Sequence, residues 1–376
     1  MKPRVLMVGR TRYRLPLDQS LGRKFAALGE RLELRVLAAA PQGAPGGDAT
    51  FVLQRGTPVP ALDGPLFYGS LSVRIARELR RAPADAIVAQ SPYEALAALA
   101  GRKLARSDAA VVVEIHGDWR TWSRLYGSRT RAVVAPLADR AALAAIRGAD
   151  AVRTLSPFTT GLVREAGVEP AATFTTYTEL TAFSEPPVVP LPERSAVLFI
   201  GVLERYKNVH AIAEAWRLAA PRVPDAVLRI VGDGRHRDVV EALLRDLPGR
   251  VSWDRRLETS EVVRAFDEAW VLLLASRSEG TPRVVLEALC RGRAVVGARA
   301  GGIPDVVWDG ETGLLVDPDR PAEIAHALVR VLGDRALAER LGEGGKARSS
   351  DWTYTAEEYA DNVAELVERA VGTRGA

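Results

Sequence analysis

Cysteine is nearly missing from this chain: Cys290 stands alone in 376 residues, so no disulfide can form within it and a reducing compartment is expected. Long apolar runs are missing as well. None approaches the ~18 residues that a membrane span needs, and no stretch resembles a secretory leader. The expectation is a cytoplasmic protein, with peripheral contact at the inner face of a membrane left open. Charge of one sign is in small excess, +4 overall, which argues against the strong field of a nucleic-acid binder. Lysine is scarce: of 51 basic residues five are lysines, namely Lys2, Lys24, Lys103, Lys207 and Lys346. A lysine inside a motif therefore merits notice, although codon bias accounts for the arginine excess equally well. Metal-ligand spacing is absent outside Asp317-Pro318-Asp319, a D-x-D string before a helix in which Asp319 reads better as an N-cap. No metal and no resident cofactor is expected. Neither half opens a helix with a convincing G-x-G-x-x-G, which weakens a nicotinamide-enzyme reading.

What the chain does have is an alternation of strand and helix from end to end. Short apolar runs at Arg4–Val8, Leu34–Ala38, Ala86–Ala89, Ala110–Ile115 and Ala151–Leu155 read as buried parallel strands, with helices between them. Four prolines within Phe183–Arg194 then interrupt the pattern, which suits a linker. Strands resume at Ala196–Ile200, Ala226–Val231, Val251–Trp253, Trp270–Leu274 and Ala294–Gly297. The expected α/β organisation is two Rossmann-like, doubly wound domains facing across a cleft. Their bounds are 1–185 and 196–354, with a linker at 186–195 and a final helix at 355–371 that completes the first domain.

The richest string is Ser276-Arg277-Ser278-Glu279-Gly280-Thr281-Pro282-Arg283-Val284-Val285-Leu286-Glu287, directly after an apolar strand. Thr281 suits an N-cap and Pro282 the first helical position, so a helix should start here with its free N–H groups at the strand ends, a ready site for a diphosphate. Glu279 before the helix and Glu287 in its second turn could accept hydrogen bonds from different hydroxyls of one extended ligand. A capped amphipathic helix with one solvated glutamate fits the spacing equally well.

The form E-G-T-P…E-A-L resembles the paired-glutamate motif of glycosyltransferase family 4, retaining enzymes of the GT-B fold. Arg291-Gly292, Gly301-Gly302-Ile303-Pro304-Asp305 and Gly310-Glu311-Thr312-Gly313 extend the likeness over about 196–318. In the first domain it rests mainly on His116-Gly117. The resemblance implies that Glu279 contacts the donor sugar, that Glu287 holds the nucleotide's ribose, and that Gly280, Thr281 and Pro282 border the donor. It implies that His116, just past the strand Ala110–Ile115, touches the donor sugar rather than serving as a general base. It also suggests that the glycines of Val231-Gly232-Asp233-Gly234 border the nucleotide.

A second string, Gly201-Val202-Leu203-Glu204-Arg205-Tyr206-Lys207, offers a glycine turn and cations after a strand, suited to phosphate charge. The family usually has arginine where Val202 stands. Arg205 either supplies that charge or is a solvated loop residue. His210, His236 and His326 are taken as surface or structural residues in helices.

On the acceptor side, Gly9-Arg10-Thr11-Arg12-Tyr13-Arg14 replaces the family's glycine-rich loop, and Arg10, Arg12 and Arg14 suggest an acceptor carrying phosphate or carboxylate. The competing explanation is pairing with the protein's own carboxylates. Trp119, Trp122 and Tyr126 share a helical face, with Arg120, Arg124, Arg129 and Arg131 around them. A core-facing stripe is the preferred reading, an anionic lipid contact the other.

The expected reaction is transfer of a hexose from a UDP- or GDP-sugar to a hydroxyl acceptor, anionic or lipid-linked, with retention. Lys207 and the helix N-terminus would neutralise the leaving diphosphate. The alternatives are a sugar-nucleotide epimerase of the same fold and a catalytically silent partner of another glycosyltransferase.

Overall fold

The computed structural model describes residues 2–44, 46–57, 59–121 and 129–375, with backbone alone at 60, 61, 129–134 and 375. Trp122, Arg124, Tyr126 and the side chains of Arg129 and Arg131 lie outside the described residues. The chain divides into two compact units: Met1–Tyr177 with Tyr354–Ala376, and Thr178–Thr353.

The first unit holds seven strands: β1 Arg4–Arg12, β2 Glu33–Ala39, β3 Phe51–Gln54, β4 Ala86–Ala89, β5 Ala110–Ile115, β6 Ala151–Thr154 and β7 Ala172–Thr173. Their order is β3-β2-β1-β4-β5-β6-β7, and neighbouring strands run parallel. Every residue of β4 and β5 is buried, as strands covered by helices on both faces must be. β1 outlasts its apolar run: its register with β2 shifts after Val8 and pairing resumes at Arg12, so Gly9–Arg12 belongs to the strand rather than to a loop. The helix Ala356–Gly375 lays Tyr359, Val363, Leu366, Val367 and Ala370 into this unit's core.

The second unit holds six parallel strands: β8 Ala196–Ile200, β9 Val227–Val231, β10 Val251–Asp254, β11 Val271–Leu274, β12 Ala294–Ala298 and β13 Gly313–Val316. Their order is β10-β9-β8-β11-β12-β13. In both sheets the order reverses beside the unit's first strand, the point at which open α/β sheets place ligands beyond the strands' carboxyl ends.

Two expectations about the join need correction. The boundary lies at Tyr177–Thr178, not at 185, because Leu180 and Phe183 are buried in the second unit's core and Phe183 meets Phe266 edge to face at 6.0 Å. Nor is 186–195 a free linker. Proline removes N–H donors but keeps its carbonyl, and these carbonyls are used. Arg291 donates to the carbonyls of Pro186 at 2.8 Å and Pro187 at 3.0 Å. Arg293 donates to Val189, while Trp270 and Arg335 donate to Pro192. Arg291 and Arg293 are each 1% exposed, so their charges are satisfied by this segment and by Asp267. Among the described residues no helix is long and apolar enough to cross a membrane.

Candidate active site

The loops that leave β8 and β11 bring together residues 72 positions apart in sequence. Arg205–Lys207 forms a single tight turn, and Asn208 adopts the left-handed conformation at φ 60° before the helix Val209–Ala219. Lys207 Nζ donates to Glu279 Oε1 at 2.7 Å, with the two side chains 11% and 14% exposed. The lysine stem runs across Gly201, where a Cβ would lie 3.2 Å from Lys207 Cε. Behind it, Gly232 sits at φ +141°, and a Cβ there would come within 1.9 Å of the Gly201 carbonyl oxygen. Only glycine permits this approach of the two strand ends. Trp253 fixes it by donating its indole N–H to the Gly232 carbonyl at 2.7 Å. Glu279 is held by its backbone: its carbonyl accepts from Gly302 N at 3.0 Å, and Gly301 packs against it.

The helix after this loop spans Arg283–Cys290. Thr281 does not cap it, contrary to expectation. Pro282 occupies the cap position, no side chain caps the helix, and Thr281 Oγ1 is buried without a hydrogen-bond partner. The positive end of the helix is thus left uncompensated next to an unused hydroxyl. Glu287 is buried one turn in and accepts from Arg283 Nε at 2.8 Å. Burial pushes its carboxyl pKa upward, and Arg283 opposes that only in part. The i,i+4 spacing of Arg283 and Glu287 was visible in the sequence.

Arg205 is exposed and, among the described residues, has no carboxylate partner. With Asn208, His210, His236 and Arg277 it lines a depression of about 370 Å³ that neither Lys207 nor Glu279 lines. Contrary to the expectation of partnerless helical histidines, His210 and His236 meet edge to face at 4.9 Å, and His236 precedes its helix rather than lying within it. Asp319 does not cap the following helix either. The cap position is Arg320, and Asp319 pairs with Arg277 at 2.7 Å while its own N–H donates to Asp317 Oδ1.

In the first unit, the three acceptor-side arginines do not form one cluster. Tyr13 between them is buried in the core, and Arg14 is exposed and does not line the depression that Arg10 and Arg12 share. Arg12 pairs with Asp63 at 2.9 Å, one of the protein's own carboxylates. Asp63 lies below the usual carboxylate range, chiefly because the backbone N–H and hydroxyl of Thr57 donate to it. Arg10 lies over the Tyr68 ring at 5.9 Å. Arg10 and Arg12 share a small depression with Arg55, which the sequence had not singled out. His116 follows β5, 41% exposed, with Nε2 at 3.2 Å from Glu114 Oε2. Trp119 is buried in the core beside β5, and Arg120 pairs with Asp118 and Glu165, so this part of the aromatic stretch faces inward.

Residues 185–348 match the family model of the glycosyl transferases group 1, and residues 19–176 match that of the glycosyl transferase 4-like domain. Among curated relatives, the sulfoquinovosyl transferase SQD2 of Arabidopsis thaliana is 29% identical over 168 residues, 44% of this chain and 32% of that protein. The D-inositol 3-phosphate glycosyltransferase of Corynebacterium glutamicum is 31% identical over 182 residues, 45% of this chain and 44% of that protein. The match thus spans less than half the length of these relatives. Two solved structures share the fold along the whole chain. Sucrose-phosphate synthase from Thermosynechococcus elongatus has a TM-score of 0.78 at 18% identity, covering 98% of this chain and 99% of that one. Anabaena HepE, solved in complex with UDP, has a TM-score of 0.70 at 18% identity, covering 98% and 100%.

Proposed function

The chain belongs to the group 1 glycosyltransferases of the GT-B fold, and from that premise we propose that it moves a hexose from a nucleoside diphosphate sugar to a hydroxyl acceptor with retention. The observation that carries this reading is the Lys207–Glu279 pair at the strand ends, beside an uncapped helix N-terminus and the buried Glu287. In this scheme Lys207 and the N–H groups at Arg283 take up charge growing on the leaving diphosphate. Glu279 meets the sugar and Glu287 the ribose diol. The bond from the sugar's anomeric carbon to the diphosphate oxygen breaks. The acceptor oxygen bonds that carbon on the same face, and its proton passes to the departing phosphate. Glu279 and Glu287 are each paired with a cation, which suits hydrogen bonding better than covalent attack.

Uracil is the proposed base, supported by the UDP complex of HepE, with guanine as the comparison. For the acceptor we propose an anionic saccharide or a lipid-linked phosphate. Arg10 and Arg55 support this, and the Corynebacterium relative is itself named for an anionic acceptor. A lipid-linked acceptor requires work at a membrane surface, which co-sedimentation with anionic vesicles checks. The central test is incubation with UDP- and GDP-sugars, followed for slow nucleotide release. Release with free hexose supports a transferase. A new nucleotide sugar without release points to an epimerase, and no reaction at all points to a silent partner.

A further inference from the structure

Glu114 and Arg153 stand directly opposite each other on β5 and β6. Their side chains are 3% and 0% exposed, in strands otherwise made almost wholly of apolar residues. A buried ion pair is a costly way to fill such a position, and apolar residues of similar volume usually serve as well. This pair is nonetheless held by several partners, with Arg153 Nε alone buried without a hydrogen bond among the described residues. Arg153 donates to Glu114 Oε1 and, at 3.0 Å each, to the carbonyls of Phe174 and Thr175, while its guanidinium stacks 3.9 Å from the Phe174 ring centre. These bonds leave one carboxylate oxygen, Oε2, facing the end of β5. That oxygen is the one 3.2 Å from His116 Nε2.

Burial works to raise the Glu114 pKa, but the Arg153 guanidinium and His116 outweigh it and hold the carboxyl well below its usual range. An ionised carboxylate only accepts hydrogen bonds, so the imidazole nitrogen facing it must carry the proton. The other nitrogen, Nδ1, has no hydrogen-bond partner among the described residues, and the ring is 41% exposed. We propose that Glu114, anchored by Arg153, is a positioning residue that pins His116 in its Nε2–H tautomer, leaving Nδ1 as the acceptor for a hydroxyl of the donor sugar. The inference rests on the reading of His116 as a donor-sugar contact. It adds two residues to the site that touch no substrate themselves.

The test uses the full chain, labelled with ¹⁵N and observed at pH 9, where an ordinary imidazole is neutral. His116→Asn assigns the His116 ring signals among the four histidines. The wild-type ring should carry its proton on Nε2. In Glu114→Gln the amide oxygen is expected to stay with Arg153, which turns the amide NH₂ toward the ring and shifts the proton to Nδ1. Donor consumption should fall on the order of 10–100-fold, taking as a guide the loss seen when partners that orient metal-bound histidines are removed. In a His116→Asn background the same substitution should add nothing. An Nδ1–H tautomer in the wild type overturns the inference without any variant. So does a Glu114→Gln loss that persists undiminished without His116. Unchanged donor consumption in His116→Asn overturns the reading of His116 itself, and with it the use of the pin, even where the tautomer is fixed as stated.

Discussion

Glu287→Ala separates nucleotide binding from folding more cleanly than other changes at this site. Its partner Arg283 is 55% exposed, so the substitution strands no buried charge. What disappears is a carboxylate proposed to accept from the ribose hydroxyls, and such charge-assisted bonds are worth about 1.5–3 kcal/mol. That weakens the nucleotide roughly 10- to 150-fold. At a concentration 100 times its dissociation constant, UDP stabilises the wild type by about 2.7 kcal/mol. In a unit the size of Thr178–Thr353, each kcal/mol moves Tm by roughly 2–4 °C, so the shift is roughly 5–11 °C. At the same UDP concentration the variant should gain about 1.4 kcal/mol if binding falls tenfold, and about 0.3 kcal/mol if it falls 150-fold. Thermal melts with and without UDP and GDP measure this directly. A variant that melts cooperatively and keeps the full wild-type shift with both nucleotides would refute the assignment of Glu287 to the ribose.

Lys207→Ala should cut turnover by on the order of 10²–10³, since the charge it supplies matters most as the leaving group develops; initial rates at saturating donor check this, and a matching loss for Arg205→Ala would show that Arg205 replaces the arginine missing at Val202. The pH profile of stability should carry a signature of Glu287. Its folded pKa is raised, so the unfolded chain releases this proton first, and the wild type loses stability as pH rises from about 4.5 through the folded value. Glu287→Gln should lack that component in a series of melts across this window. Transfer should survive EDTA; activity lost to the chelator and restored by magnesium or manganese would contradict a metal-free mechanism. With an anionic acceptor, Arg10→Ala or Arg55→Ala should raise the acceptor's KM and spare slow donor hydrolysis. Arg14→Ala, outside their shared depression, should change neither.

The strands of both sheets were legible because parallel strands buried on both faces are written as uninterrupted apolar runs, as in Ala110-Val111-Val112-Val113. β3 and β7 were not, since Phe51–Gln54 lies at the sheet's edge and Ala172–Thr173 is only two residues long. Glu279 and Glu287 share one strand–loop–helix unit and are linked by local spacing, whereas Lys207 lies 72 positions from Glu279 and was joined to them chiefly through the family resemblance. The start of that unit's helix was misread: Thr281 has the chemistry of a cap, but the chain turns so that Pro282 takes the position. Glu114 and Arg153 were invisible for a different reason. Their meeting depends on the register between β5 and β6 across 39 residues of chain, which no local pattern encodes. Arg12 carried too little information in its neighbours, because the carboxylate that claims it, Asp63, is 51 positions away.

The proline-rich stretch has a practical bearing on building hybrid enzymes, in which the front half of one relative is joined to the back half of another. A joint at 185 or within 186–195 is the natural choice from composition, yet it falls inside a seam. The carbonyls of Pro186, Pro187 and Val189 quench the guanidiniums of Arg291 and Arg293. A foreign sequence there inherits the duty of meeting two buried cations whose donors point in fixed directions. Hybrids joined between Tyr177 and Thr178, and again between Thr353 and Tyr354, carry the seam and its cations together. They should fold where hybrids joined at 190 aggregate.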